Sequence, residues 1–316
     1  MGALERLGLA DLKETQTRSY SVEQAQTSSC FEFKWSKRET YESDALKEQT
    51  RRWLFERYCE GDPQKLNEWL NSDGIRKIIL DAGCGSGFSS LLFFAEHLMS
   101  HDYLGVDISR AVDVARTRFL EAGMDGDFLM ASLDDLPIPE QSVDLIFSEG
   151  VLHHTDNTER AIKYLSAKLK RGGRFLFYVY AKKSPIREFT DDYIREYLKP
   201  LSNEEAWEAL KPLTKLGITL GELGAEIDIA EDIPFLGIRK GKIDLQRLFY
   251  WTIVKLYYRP EYTHDEMNHI NFDWFRPLNC HRHTKEEVIS FCEKANLKVE
   301  HLNIQEAGIS VVAQKG

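Results

Sequence analysis

Long hydrophobic runs are missing from this sequence. No stretch of about 18 apolar residues occurs, so no membrane-spanning helix is expected. A signal peptide is also missing, because the segment from Met1 to Gln16 is mixed and charged. The five cysteines are scattered and form no CxxC pair, which favours free thiols in a reducing compartment. We therefore expect a cytoplasmic protein.

An excess of basic residues is absent as well. The 316 residues include 41 Lys and Arg against 51 Asp and Glu, which gives a formal net charge of -10. Nucleic-acid binders usually present a basic face, so we expect no nucleic-acid partner unless a local basic patch exists. With 42% apolar residues, the chain can bury one sizeable core, with or without a large insertion.

Short apolar strands alternate with helices from about residue 76 onward. The seven predicted strands lie at residues 77–80, 103–106, 128–130, 143–147, 174–180, 297–302 and 308–312. Such alternation is typical of a mostly parallel sheet that is covered by helices on both faces. The sequence therefore predicts an α/β, Rossmann-like fold with a seven-stranded sheet.

The alternation is interrupted once, and this divides the chain into four predicted segments. Residues 1–70 would form an N-terminal arm and helices, and residues 71–182 the core of the sheet domain. Residues 284–316 would add a helix and the last two strands. Residues 183–283 are helix-rich and irregular. Because they follow the carboxyl end of the fifth strand, we expect them to form a helical cap that binds the substrate.

The first predicted strand leads directly into Asp81-x-Gly83-x-Gly85-x-Gly87, which opens a helix. Glycines permit positive φ angles and let a ligand approach the backbone, and the free N–H groups of the helix start favour an anionic group. The glycines alternate instead of following the GxGxxG spacing of dinucleotide sites, which suits an amino-acid moiety better than a pyrophosphate. Asp107, at the end of the second strand, could hold the hydroxyl groups of a ribose.

Five segments in this order resemble the class I S-adenosylmethionine (SAM)-dependent methyltransferases. They are residues 81–87, 106–108, 131–138, 143–148 with 151–154, and 169–175. The resemblance covers roughly residues 76–180 and, more weakly, 284–314. It implies that SAM is the cofactor and that a methyl group is transferred to an acceptor.

The resemblance also implies the cofactor-binding residues. They are Asp81, Gly83, Cys84, Gly85 and Gly87 for the methionine part of SAM, Asp107 and Ile108 for the ribose, Ser132 and Leu133 for the adenine, Ser148 beneath the sulfonium, and Trp35, which would close over SAM from the arm. One departure concerns Ser132, because family members often carry Asp at this position. A serine hydroxyl can accept the same hydrogen bond without a charge.

The acceptor side is less defined, because methyl transfer mainly requires that donor and acceptor are aligned and that water is excluded. A base is needed only where the acceptor loses a proton. We predict His153, after the fourth strand, and Asp273, in the cap, as catalytic groups. The predicted substrate-binding residues are Arg187, Trp274, His281 and His283. No metal site is expected, since His281 and His283 have no third ligand nearby.

The leading hypothesis is a methyltransferase that acts on an O or N atom of a small or medium-sized organic acceptor. A protein or nucleic-acid methyltransferase is its nearest rival, and a contiguous Lys/Arg groove beside the sulfonium would favour it. Three more distant hypotheses are a SAM-fold enzyme with a different reaction, an NAD-dependent oxidoreductase and a non-catalytic binding protein. The glycine spacing argues against NAD, and the intact Asp81-to-Gly87 turn with Asp107 argues against lost cofactor binding.

Overall fold

The computed structural model describes residues 2–10, 12 and 20–316, so the prediction about Met1 to Gln16 lies partly outside the described residues. The strands in these ranges are β1 (Ile78–Ala82), β2 (Asp102–Asp107), β3 (Asp127–Met130), β4 (Val143–Glu149), β5 (Leu169–Tyr180), β6 (Glu226–Ile229), β7 (Gly241–Asp244), β8 (Leu297–Ile304) and β9 (Gly308–Lys315). The α-helices are α1 (Ala3–Arg6), α2 (Val22–Ser36), α3 (Asp44–Cys59), α4 (Pro63–Asn71), α5 (Phe88–Phe94), α6 (Ala111–Glu121), α7 (Thr158–Lys168), α8 (Pro185–Leu198), α9 (Asn203–Glu222), α10 (Leu245–Thr252), α11 (His264–Phe275) and α12 (Lys285–Lys294).

The main sheet has seven strands in the order β3-β2-β1-β4-β5-β9-β8. Strands β1 to β5 pair in parallel, whereas β9 runs antiparallel to both of its neighbours. This confirms the predicted α/β fold with a seven-stranded, mostly parallel sheet. The strand order reverses between β1 and β4, and ligands of such sheets bind outside the carboxyl ends of the strands at this point.

Both faces of the sheet are covered by helices, as the sequence predicts. Every residue of β1 is buried, and its side chains alternate between two hydrophobic clusters. Ile78 and Leu80 belong to the cluster that contains side chains of α7 and α12. Ile79 belongs to the cluster that contains side chains of α3, α4, α5 and α6. Residues 78–80 of this central strand are therefore apolar on both faces, which is why the strand is recognisable in the sequence.

Between β5 and β8 the chain forms α8 to α11 and a separate two-stranded sheet of β6 and β7. The small sheet was not predicted, because its residues are exposed or only partly buried and lack an apolar strand pattern. Helix α11 packs against α8 and α9, and it also contacts α2 of the N-terminal arm. In the described ranges, no helix is both long enough and apolar enough to cross a membrane.

Candidate functional site

A cavity of about 250 Å³ lies at the carboxyl ends of β1, β2 and β4. Nine predicted site residues line it, namely Trp35, Asp81, Gly83, Cys84, Asp107, Ile108, Ser132, Leu133 and Asp273. Further lining comes from α2, from the end of β5 and from the segment that follows β4. The fold thus brings most of the predicted cofactor residues together at the switch point of the sheet.

The glycine turn after β1 is fixed by close contacts on two sides. Gly83, Gly85 and Gly87 have φ angles of 88°, 50° and 71°, which are strained for other residues. A Cβ atom on Gly83 would lie 2.3 Å from Val151 Cγ1, and one on Gly85 would lie 2.7 Å from Trp35 Nε1. Glycine is therefore required at these positions both for the turn and for the approach of the neighbouring side chains.

Asp107 ties the end of β2 to the glycine turn. Its Oδ2 atom accepts a hydrogen bond of 3.0 Å from the Gly85 N–H. Its Oδ1 atom accepts from the N–H and the hydroxyl of Ser109, at 2.9 and 2.7 Å. Burial raises the pKa of Asp107. A carboxylate has about four acceptor positions, so about one remains for a hydroxyl group of a ligand.

Asp81 is buried and accepts hydrogen bonds from two hydroxyl groups. Both Ser90 and Tyr103 donate to its Oδ2 atom, Tyr103 at 2.7 Å. Burial raises the pKa of Asp81 to about 7, and it outweighs these hydrogen bonds, which favour the ionised form. A positively charged group in the cavity would stabilise the Asp81 carboxylate. The ammonium and sulfonium groups of SAM fit this requirement.

The segment after β3 carries a buried acceptor atom without a partner. Asp134 accepts a hydrogen bond of 2.7 Å from Arg160 at Oδ2, whereas its Oδ1 atom is buried and has no hydrogen-bond partner within the described ranges. Ser132 accepts from the Asp134 N–H at 3.2 Å. An unpaired buried acceptor costs about 1–3 kcal/mol, so an amino group of a ligand would stabilise it. The adenine amino group fits here, with Asp134 supplying the carboxylate that Ser132 lacks.

Helix α2 of the N-terminal arm covers the cavity. Its residues Gln24, Thr27, Ser28, Phe31, Lys34 and Trp35 line the interior. Ser21 caps this helix and donates a hydrogen bond of 2.6 Å to Asp156 of the core. The Lys34 Nζ atom lies 3.8 Å from the centroid of the Trp35 ring. The arm therefore docks over the glycine turn through Trp35, and the closure of Trp35 over SAM stays a prediction.

Asp273 joins the arm, the segment at 183–283 and the sheet. It forms an ion pair with Lys34 and accepts a hydrogen bond of 2.7 Å from the Tyr180 hydroxyl. Burial raises the pKa of Asp273, but the positive charges of Lys34, His154 and Lys255 and the hydrogen bond from Lys34 together outweigh burial, so the pKa lies well below its usual value. Asp273 is thus an ion-pair and hydrogen-bond partner in this structure, and its predicted catalytic role stays a prediction.

Two other predicted residues near the fourth strand lie behind the cavity wall. His153 is completely buried and does not line the cavity, and its ring packs 3.7 Å from the ring of Tyr180. Ser148 is also buried and donates a hydrogen bond of 2.7 Å to the carbonyl of Ala82, which joins β4 to β1. These positions argue against a base at His153 and against Ser148 as the floor beneath the sulfonium.

The four predicted substrate-binding residues also lie outside the cavity lining. Arg187 and Trp274 are buried and both bond to Asp191 Oδ2, at 3.1 and 2.8 Å. His281 and His283 bond through Nε2 to the core, to the Thr155 carbonyl at 3.0 Å and the Thr158 hydroxyl at 2.9 Å. These side chains hold the segment together and against the sheet, which corrects the prediction that they face a substrate.

Several lining residues were not predicted. Glu149, at the end of β4, forms an ion pair with Arg57 and accepts a hydrogen bond from Tyr58, both on α3. Tyr178 and Phe31 also line the cavity. His154 lines it as well, and the sequence offers this residue beside His153 as the weaker candidate for a base. The position of Glu149 at the carboxyl end of a parallel strand is a signal that sequence analysis could have used. Tyr178 and Phe31 depend on contacts between distant parts of the chain.

Comparisons with known proteins find methyltransferases by sequence and by structure. Residues 80–177 match the family model described as a methyltransferase domain. Probable tRNA methyltransferase 9B of Mus musculus is 30% identical over 128 residues, which are 40% of this chain and 26% of that protein. Ubiquinone biosynthesis O-methyltransferase of Coxiella burnetii is 27% identical over 177 residues, which are 50% and 73% of the two chains. A SAM-dependent methyltransferase structure from Aquifex aeolicus aligns with 14% identity and a TM-score of 0.43, covering 83% and 92% of the two chains.

Residues 80–177 are therefore a methyltransferase domain with the class I, SAM-dependent fold. SAM is the cofactor of this class, and Asp81, Asp107 and Asp134 offer groups that fit it. The chain spans only 26%, 31% and 54% of the length of three curated relatives that it matches.

Proposed function

We propose that this protein transfers the methyl group of SAM to an oxygen or nitrogen atom of a small or medium-sized organic acceptor. The cavity carries this proposal, because it combines the glycine turn and Asp107 with an aromatic compartment beneath α2. SAM supplies an electrophilic methyl group on a positively charged sulfur. The protein has to align the acceptor with this group and to exclude water from the site.

The lining residues divide these tasks. Asp81 and Asp107 would hold the amino and ribose groups of the cofactor, and Asp134 its adenine. The rings of Phe31, Trp35, Tyr178 and Tyr180 would hold the apolar part of the acceptor and exclude water. Helix α2 would act as the cover of the site. The segment at 183–283 contributes Asp273 to the described lining, so we propose that this segment supports one wall while the arm forms most of the acceptor side.

The cover and the charge of the cavity support a small acceptor. Helix α2 lies over the cavity and leaves a volume of about 250 Å³ beneath it. Its charged lining residues are Lys34 and the five acids Asp81, Asp107, Asp134, Glu149 and Asp273. Such an acidic surface repels phosphate groups, whereas a neutral or cationic organic molecule would enter it without that cost.

A tRNA acceptor is the second candidate, since a relative that matches 40% of this chain is named a probable tRNA methyltransferase. To separate the two candidates, the protein would be incubated at low salt with SAM labelled on its methyl group. One sample would receive total tRNA, and another a mixture of small metabolites. We expect label in the small-molecule fraction. Label in tRNA alone would contradict the small-acceptor proposal.

Cofactor binding is tested by titration calorimetry with S-adenosylhomocysteine. We expect the wild type to bind, and we expect Asp107→Ala to bind about tenfold to a hundredfold more weakly, because a hydrogen bond to a charged group contributes about 1.5–3 kcal/mol. Asp113→Ala, which removes a largely exposed acid of α6, is the matched control and should bind like the wild type. Absence of binding to the wild type would overturn the proposal.

A further inference from the structure

We propose that His154 takes the proton that the acceptor loses during methyl transfer, so that the acceptor atom is a hydroxyl or an N–H group. This inference rests on the proposed methyl transfer and specifies the chemistry of its acceptor. The sequence favours His153 as the base, whereas this inference assigns that role to its neighbour His154.

The hydrogen bonding of His154 defines its tautomer. Its Nδ1 atom lies 2.6 Å from the carbonyl oxygen of Asn279. A carbonyl only accepts hydrogen bonds, so Nδ1 carries the hydrogen and Nε2 of the neutral ring has a free lone pair. Nε2 is buried and has no hydrogen-bond partner in the part of the chain that the structure describes. An acceptor group would therefore find an unpaired proton acceptor here.

The place of His154 in the fold sets it apart from His153. Both residues belong to the short 3₁₀ helix Leu152–His154 that follows β4. His154 lines the cavity together with Val151 and Thr155, whereas His153 does not. The His154 ring also meets the ring of Phe31 on α2 edge to face, at 4.8 Å between centroids. His154 thus lies between the end of β4 and the cover of the site.

The surroundings of His154 favour the neutral form of its ring, which can take up a proton during the reaction. Burial, together with the charges of Arg195 of α8 and Lys34 of α2, lowers the pKa of His154 to about 4, although Asp273 of α11 and the hydrogen bond to the Asn279 carbonyl oppose this shift. Tyr180 of β5 packs edge to face on the ring, and its raised pKa keeps its hydroxyl protonated. Near neutral pH, His154 is therefore unprotonated and available. Once protonated, it would be stabilised by the Asp273 carboxylate.

The proton balance of the step is simple. The lone pair of the acceptor oxygen or nitrogen forms the new bond to the methyl carbon, and the electron pair of the broken carbon–sulfur bond stays on sulfur. The proton of the acceptor passes to Nε2 of His154 and then to water. The products are the methylated acceptor and S-adenosylhomocysteine.

His154→Asn is the variant that tests this role, because the amide can still donate to the Asn279 carbonyl but offers no base. His153→Asn is the matched control. The wild type and both variants would be assayed with 4-nitrophenol, glucose and phenethylamine, which carry a transferable proton, and with pyridine and dimethyl sulfide, which carry none. Binding of S-adenosylhomocysteine, measured by calorimetry, is the readout that does not depend on turnover.

For a protic acceptor, we expect His154→Asn to lower kcat about a hundredfold or more while the affinity for S-adenosylhomocysteine stays within about twofold. For a hydroxyl acceptor, the remaining rate should rise about tenfold for each pH unit below the pKa of that acceptor, because the acceptor must then ionise in water. Transfer to pyridine or dimethyl sulfide needs no base, so it should fall far less than transfer to the hydroxyl acceptors. Nitrogen NMR of labelled histidine should show Nδ1 protonated and Nε2 unprotonated in the wild type.

Three results would overturn the inference. The first is that His154→Asn methylates a protic acceptor with the same rate and pH profile as the wild type. The second is an NMR spectrum that places the proton on Nε2, and the third is methylation of the aprotic probes alone. The last result would leave the proposed methyl transfer intact. Binding of S-adenosylhomocysteine without transfer to any acceptor, tRNA included, would instead contradict the proposed function, and the role of His154 with it.

Discussion

The core of the sheet domain and the segment at 183–283 bury carboxylates in opposite ways. In the core, Asp81 and Asp107 accept hydrogen bonds from neutral hydroxyl and N–H groups, and burial raises the pKa of both. In the segment, Asp191 is paired with Arg187 and Asp273 with Lys34, and the pKa of Asp273 lies well below its usual value.

This difference distinguishes carboxylates that have no cationic partner in the protein from carboxylates that form ion pairs within the fold. A buried carboxylate that already has a cation gains little from a second one, whereas Asp81 would gain from the ammonium group of a cofactor. The acids of the core are therefore the better candidates for ligand binding.

Breaking the ion pair of Asp273 should have the largest effect on stability. Lys34→Met removes the cation and leaves the carboxylate unpaired, so we expect the free energy of unfolding in urea to fall by about 3 kcal/mol. This is the lower end of the usual range for a broken buried pair, because 22% of the Asp273 side chain is exposed. The double variant Lys34→Met/Asp273→Asn should recover part of the loss, since no unpaired charge remains. Equal losses in the single and double variants would show that the pair is not what stabilises this contact.

The core was predictable from sequence because its determinants are local. The strand of Ile78, Ile79 and Leu80 is apolar on both faces, and the turn after it needs glycines within a few residues. Asp107 follows from the same rules, since it ends the neighbouring strand. These features depend on short-range sequence patterns that physical principles can interpret directly.

The acceptor side depends on contacts between distant segments, and no local pattern encodes them. Phe31 and Tyr178 are 147 positions apart in the sequence but line the same cavity. His153 and His154 are chemically identical neighbours, and only the course of the short helix after β4 decides which of them lines the cavity. Arg187 and Asp191, by contrast, are spaced i,i+4 on one helix, so their pairing could have been predicted.

Acid should weaken the protein through buried histidines, of which His269 of α11 is the clearest test. Burial, reinforced by the positive charges of Lys34 and Lys37, lowers its pKa well below the usual value, although Asp273 opposes this. The unfolded chain therefore binds a proton below pH 6.5 that the folded protein does not, so stability falls as the pH falls. Relative to His269→Asn, the wild type should lose up to about 1.7 kcal/mol more between pH 6.5 and pH 5, because the slope approaches about 1.4 kcal/mol for each pH unit only once the unfolded histidine is protonated. Parallel stability curves in urea for the two proteins would contradict this expectation.

Asp81 should respond to pH in the opposite sense. Its pKa of about 7 exceeds the value in the unfolded chain, so the folded protein holds the extra proton and loses stability as the pH rises from about 4 to 7. Between pH 6 and pH 7 this contributes at most about 1.4 kcal/mol. An ammonium group beside Asp81 would lower this pKa again, so binding of S-adenosylhomocysteine through its ammonium group at pH 6 should release close to one proton. Calorimetry in two buffers of different ionisation enthalpy measures this number. Asp81→Asn should release none, and an equal release from both proteins would assign the proton to another group.

The smallest change in the free energy of unfolding is expected for an exposed ion pair, whose carboxylate is not buried in either region. Lys182, at the end of β5, lies 3.4 Å from Glu287 of α12, and the two side chains are 52% and 42% exposed. Water and salt screen such a pair, so Lys182→Met should change the free energy of unfolding by less than about 1 kcal/mol. The substitution is the same as in Lys34→Met, and only burial and the partner differ. A loss as large as that of Lys34→Met would show that burial of the carboxylate is not what makes the pair of Asp273 important.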